Sequence, residues 1–292
     1  MRDDARAFEG PKVEVARVEE TTVDGAAGPL RGRLYVPPDG RAASTISGAA
    51  DGLLVYFHGG GFVVGDLDTH DNVCRFLSRQ AGVRVLAVEY RLAPEHRFPA
   101  PIDDAVAAFR FTAERASQFG ATAERIGVSG DSAGGNLAAG VALAARNTQA
   151  SGGSDAAAPA LQVLFYPWLD LSAKRASYRL FGDGFYLTED DLDWYRGHYL
   201  EAESDALDPR CSPALAEDVA GVAPAYIAPA GFDPLRDEAE QYAERLRAAG
   251  VRVVLRRHAS LIHAFVNTSQ LGHSGREALL EACGAIRFAL AA

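Results

Sequence analysis

The chain is short of the residues that staple small folds. Its 292 residues include three cysteines, Cys74, Cys211 and Cys283, far apart and odd in number. They form no CxxC pair, no Cys/His cluster with zinc spacing and no disulfide framework, so three reduced thiols are expected. Lysine is nearly missing, Lys12 and Lys174 standing against 27 arginines, and this bias carries no functional reading. Basic runs are lacking too: 29 basic and 39 acidic residues leave a net charge of −10. That balance excludes the electrostatic footprint of a nucleic-acid or anionic-membrane binder. No uninterrupted apolar stretch approaches the roughly 20 residues of a membrane-spanning helix. The start, Met1-Arg2-Asp3-Asp4-Ala5-Arg6, mixes acid and base where a signal peptide needs a basic start and then an apolar run. A cytoplasmic location is expected, with neither nucleic acid nor a stable membrane association.

What is present is ordinary globular material, 48% hydrophobic and 23% charged, and long enough to bury a core without metal or disulfide support. Short apolar runs bounded by turn residues recur at 53–57, 83–90, 125–129, 161–166, 224–230 and 251–255. Such runs suit strands covered on both faces, as in a parallel sheet. Helix-like segments alternate with them at 68–80, 102–119, 133–146, 235–249 and 275–290. Strand–helix alternation over most of the chain predicts a doubly wound α/β fold in a single domain. Residues 149–159 read as a surface loop. Residues 170–220 hold a helix at 189–200 without a clear strand beside it, the size of excursion a lid or cap would need.

Gly130-Asp131-Ser132-Ala133-Gly134 fits G-x-S-x-G between the strand-like IGVS and a helix-like run. A strained turn there lifts a serine hydroxyl out of the sheet top, and the helix N-terminus favours negative charge formed during attack. Chance yields this pentapeptide roughly 0.15 times in such a composition, so placement carries the argument. His58-Gly59-Gly60-Gly61-Phe62 follows the run LLVYF and is sharper, expected roughly 0.007 times. Three glycines relinquish chain entropy unless the backbone must approach something closely. Here the loop would aim N–H groups at an oxyanion, together with the N–H of Ala133. A phosphate-loop reading fails, since no Gly-Lys-Ser/Thr ending and no GxGxxG is present.

A serine nucleophile needs a base, and the base an orienting acid, in the chain order Ser, Asp or Glu, His. Asp233, after PAYIAPA, and His263, after VRVVLRRH, fit that order at strand ends. Asp237 and His258 compete as a helix first-turn acid and a structural hydrogen bonder. His198 and His273 offer no strand top. His70, His96 and His58 precede the serine; of these only His58 sits beside the site, where it is assigned to holding the glycine loop. Phe62, Phe185, Tyr186, Trp194, Leu261 and Ile262 are expected around the pocket.

Together HGGGF (58–62), YRLAPEHRFPAPIDD (90–104), GDSAGGN (130–136), DPLRDE (233–238) and IHAF (262–265) resemble the hormone-sensitive-lipase-like family of α/β-hydrolases, in its bacterial esterase branch. The matches run in family order over roughly residues 30 to 290. The resemblance implies an α/β-hydrolase fold with Ser132 as nucleophile, Asp233 as acid and His263 as base. It further implies Gly60, Gly61 and Ala133 as oxyanion donors and Gly59 as the residue shaping the loop. Glu95 and Asp103 read as structural. Only about 20 residues precede Thr21, fewer than the family's N-terminal cap segment, so a reduced cap of 1–20 plus 170–220 is expected. The implied activity is hydrolysis of short- to medium-chain carboxylic esters through an acyl-enzyme, with no metal or organic cofactor. Amide or lactone hydrolysis on the same triad is the alternative. So is a non-catalytic small-molecule binder like the plant gibberellin receptors, which have lost the histidine. A homodimer paired through the last strand or helix would follow by resemblance alone.

Overall fold

The computed structural model describes residues 11–38, 52–150, 157–268 and 272–291. The run at 53–57 becomes strand β3 (Leu53–Phe57), and every one of its side chains is buried. Period-two alternation sends Leu53, Val55 and Phe57 into one helical layer and Leu54 and Tyr56 into the other. The first layer holds α2 (Ala100–Glu114), α3 (Ala133–Ala150) and α6 (Arg236–Ala248); the second holds α1 (Asp71–Ala81) and α7 (His273–Leu290). Full burial of a Leu, Val or Phe contributes about 1.5–3 kcal/mol, so a strand apolar on both faces is anchored twice over.

Eight strands form the main sheet in the order β1-β2-β4-β3-β5-β6-β7-β9. The remaining ones are β1 (Arg17–Gly25), β2 (Gly28–Val36), β4 (Arg84–Val88), β5 (Ile126–Asp131), β6 (Gln162–Phe165), β7 (Ala225–Ala228) and β9 (Val253–Leu255). From β4 to β9 all neighbours are parallel; β1 and β2 are antiparallel additions at one edge. That hairpin alternates exposed and covered residues, which is why it escapes a search for apolar runs. Asp104 rather than its neighbour Asp103 ties it to α2: the fully buried Asp104 accepts the Ala26 N–H at 2.9 Å and pairs with Arg91 at 2.7 Å.

One run is divided, and a strand forms beyond the last of them. Pro229, lacking an N–H for the ladder, separates β7 from β8 (Ala230–Phe232), and the segment after β9 forms β10 (His258–Ile262). β8 and β10 pair in parallel as a separate two-stranded sheet. Of the expected loop at 149–159, Gln149 and Ala150 instead complete α3, and 151–156 lie outside the described residues.

The 170–220 excursion carries α4 (Ala176–Phe181) and α5 (Glu189–Tyr199), the latter opened by a capping box of Thr188 and Asp191. Residues 1–10 of the expected N-terminal cap element lie outside the described residues. The rest corrects that expectation. Residues 11–16 run along α1, where the Val13 N–H reaches Asn72 Oδ1 at 2.9 Å, and from Arg17 the chain is in β1. The ladder hydrogen bonds of an edge strand hold 17–20 in the sheet, and none of 11–20 lines the cavity at Ser132. No helix among the described residues is long and apolar enough to cross a membrane.

Candidate active site

β5 runs directly into α3 through Ser132, whose φ of 55° lies in the left-handed region that non-glycine residues avoid. The surroundings hold it there. Its N–H donates to the Phe165 carbonyl at 2.9 Å, and its carbonyl accepts from the Asn136 and Trp168 N–H groups, both at 3.1 Å. The flanking glycines are required by backbone approach: a Cβ on Gly130 would lie 2.2 Å from the Gly134 carbonyl oxygen, and one on Gly134 only 2.0 Å from that of Phe57. Ala133 is the first residue of α3, so its N–H has no partner within the helix.

The small sheet explains how residues 30 apart in sequence meet. Phe232 and Ile262 are register partners in β8 and β10, so the next residues, Asp233 and His263, leave the ladder side by side. His263 Nδ1 lies 2.8 Å from Asp233 Oδ2, and His263 Nε2 lies 3.0 Å from Ser132 Oγ. An ionised carboxylate only accepts, so Nδ1 carries the proton and Nε2 is left to receive one from the serine. Asp233 is fully buried and its other oxygen accepts the Leu235 N–H at 2.9 Å. Ser132 and His263 retain 8% and 6% exposure, enough to face a cavity.

That cavity measures about 270 Å³ and is walled by Gly59, Gly60 and Gly61 on one side and by Trp168, Leu192 and Tyr195 on another. A larger cleft of about 1150 Å³ lies elsewhere, between the β1–β2 turn, α2, α3 and residues 209–218, and contains none of the residues above. The smaller cavity is the site, because the serine and histidine open into it. The glycine loop is tightly packed: a Cβ on Gly60 would meet the Val64 carbonyl at 2.1 Å, and one on Gly61 the Tyr195 ring at 2.2 Å. His58 is buried beneath the loop with Nδ1 2.7 Å from the Gly59 carbonyl, and burial with the neighbouring His70 charge pushes its pKa down to about 4. Its ring nitrogen thus faces the backbone of the glycine loop.

Six side chains were expected around the pocket from sequence, and only Tyr186 lines it. Phe62, at φ 65°, turns into the core and stacks on Tyr199 at 3.9 Å. Phe185 stacks on Phe232, and Trp194 packs edge-on against His198. Leu261 and Ile262 belong to β10 and lie outside the lining. Asp237 pairs with Arg236 and accepts the Ser177 N–H, and His258 begins β10, so neither competitor reaches the serine. His70, Thr69, Asp131 and Asn267 do line the cavity, and sequence reading missed them. Two lie near the motifs in sequence, Asp131 inside the pentapeptide and His70 nine residues after the glycine loop, but that proximity assigns neither a role.

A model of the α/β-hydrolase fold family matches residues 54–267. The chain is 47% identical over 289 residues to the carboxylic ester hydrolase LipN of Mycobacterium tuberculosis, covering 98% of this chain and 74% of that protein. It is 42% identical to an ethyl acetate hydrolase of Pseudomonas putida, covering 89% and 78%. Among solved structures, an esterase of Pyrobaculum calidifontis superposes with a TM-score of 0.87 at 40% identity, covering 96% and 88%. The carboxylesterase EstE1 from a metagenomic library gives 0.88 at 38% identity, covering 99% and 95%. With the serine turn, the glycine loop and these likenesses together, the chain belongs to the α/β-hydrolase fold family, in its hormone-sensitive-lipase-like branch of carboxylic ester hydrolases.

Proposed function

We propose that this carboxylic ester hydrolase cleaves short- to medium-chain esters through an acyl-enzyme on Ser132. The observation that carries the reading is the continuous line from Asp233 through His263 to Ser132, at 2.8 and 3.0 Å, opening into a small cavity beside the glycine loop. Ser132 Oγ attacks the ester carbonyl while His263 Nε2 takes its proton and Asp233 stabilises the imidazolium. Charge collects on the carbonyl oxygen, where the N–H groups of Gly60, Gly61 and Ala133 receive it; one such donor is worth about 2.7–4 kcal/mol in the transition state. His263 then returns the proton to the leaving alcohol, and in the second half activates water to release the acid. All these groups belong to the chain itself.

The cavity of about 270 Å³ is below the roughly 300–1,000 Å³ that holds drug-sized ligands, which suits small acyl groups. An ethyl acetate hydrolase and an acetyl esterase among the relatives point the same way. We read the chain as one hydrolase domain capped by residues 170–220 and working in the cytoplasm. A homodimer through β9 and α7 is consistent with the exposed Val254 and Phe288 there. The test is hydrolysis of p-nitrophenyl esters from acetate to palmitate by wild type and Ser132→Ala. Activity is expected to peak at short chains and to fall ~10⁴–10⁶-fold in the variant. Undiminished turnover by Ser132→Ala would reject the assignment.

A further inference from the structure

Behind the glycine loop lies a second histidine–carboxylate pair that the steps above leave unused. Asp131, the variable residue of the Gly-x-Ser-x-Gly turn, is 3% exposed at the end of β5. One of its oxygens accepts both the Tyr56 hydroxyl, at 2.7 Å, and the Gly59 N–H, at 2.9 Å. The carboxylate also lies 3.3 Å from His70 Nε2, while His70 Nδ1 is 3.0 Å from Thr69 Oγ1. An anion buried this deeply needs its donors. Burial alone would raise the Asp131 pKa, but His70 by charge and hydrogen bond, with Tyr56 and His58, outweighs it and holds the carboxyl below its ordinary value.

What Asp131 grips is the first glycine of the loop. The Gly59 N–H is held by Asp131, and the Gly59 carbonyl accepts from His58 Nδ1 at 2.7 Å; the His58 carbonyl in turn accepts the Tyr90 hydroxyl at 2.8 Å. Both faces of this residue are therefore tied, immediately before Gly60 and Gly61. No side chain can intervene, because a Cβ on Gly59 would lie 2.4 Å from Asp131 Oδ2. Asp131 itself directly precedes Ser132, so one residue spans the nucleophile turn and the loop across the gap between β5 and β3.

We infer that Asp131 and His70 are positioning residues for the oxyanion loop: Nε2–H of His70 orients the carboxylate, and the carboxylate, through Gly59, sets where the Gly60 and Gly61 N–H groups point relative to Ser132. This rests on the esterase reading above. A role of this kind acts on the transition state and leaves ground-state binding nearly untouched.

The experiment compares Asp131→Ala, Asp131→Asn, His70→Gln and Tyr56→Phe with wild type on p-nitrophenyl acetate. Alongside, it measures inhibition by an aryl trifluoromethyl ketone, which adds to a serine to give a tetrahedral oxyanion. Asp131→Ala, which deletes the acceptor, is expected to lose at least tenfold in kcat with KM within threefold. Asp131→Asn, whose amide oxygen still accepts from Gly59 and Tyr56, is expected to recover most of that loss. His70→Gln and Tyr56→Phe, each removing one support, should fall between and remain informative if Asp131→Ala does not fold. Across the set, ketone affinity should drop in proportion to kcat/KM, which a general loss of stability would not produce. The inference is overturned if folded variants keep kcat within threefold, if the loss appears in KM, or if ketone affinity stays constant while kcat falls. Wild type inactive on every ester would instead overturn the esterase reading itself.

Discussion

Asp233 and His263 show how much one hydrogen bond decides. With the carboxylate accepting from Nδ1 at 2.8 Å, the imidazole has its lone pair on Nε2, 3.0 Å from Ser132 Oγ. Asp233→Asn would present an amide N–H to Nδ1 and reverse the tautomer. We expect kcat to fall about 10⁴-fold with the fold intact, checked by steady-state kinetics beside thermal melting; a loss below tenfold would contradict the assigned role. That Ser132, Asp233 and His263 would lie together was an expectation from chain order, strand ends and the family resemblance, and the three side chains do meet. Asp131 and His70 were not foreseen. Nothing in composition or spacing distinguishes a carboxylate that grips Gly59 from one that merely caps a turn, since that depends on β5 and β3 being neighbours.

At the scale of elements, the turn between β5 and α3 is closed by contact with β3. Gly134 packs so near the Phe57 carbonyl that a Cβ would sit at 2.0 Å, against backbone that has no rotamer to yield. Gly134→Ala is therefore expected to cost at least the ~1–3 kcal/mol of core overpacking and to lower ester turnover by displacing the serine. Urea unfolding with parallel kinetics checks both, and unchanged stability would remove the packing argument. Helix α5 bears on the same region from above, placing Tyr195 against Gly61 and Tyr199 under Phe62. Most elements were legible from apolar runs and helical periodicity. The division of 224–230 between two sheets and the strand β10 beyond the run at 251–255 were not, although their pairing is what brings acid and base together. Pro229 marks the division, but only pairing partners reveal that β8 leaves the main sheet.

For the whole molecule, burial of neutral His58 links stability to pH. Its folded pKa of about 4 lies below the ordinary 6.5, so between these values the unfolded chain binds the extra proton. This contribution is complete above pH 6.5 and is lost as pH falls toward 4. The depressed Asp131 carboxyl adds loss in the same direction at still lower pH, whereas the raised Glu238, buried and desolvated, works in the opposite sense. In His58→Asn the stability lost between pH 7 and 4.5 should shrink by roughly 2–3 kcal/mol relative to wild type. Urea melts at the two pH values measure it; equal pH dependence in both proteins would mean His58 is not held neutral.

From sequence alone came the α/β alternation, the G-x-S-x-G and HGGG turns and the ordered triad. The alternation and the two turns depend on residues close in the chain, where period and turn chemistry act locally; the triad members were named from strand ends and family resemblance, and their meeting is tertiary. Which aromatics face the cavity, which carboxylate steadies the glycine loop and which of two clefts holds the chemistry were decided by tertiary structure. Those outcomes depend on strand order and on side chains meeting across the two helical layers, over separations that local propensity does not reach.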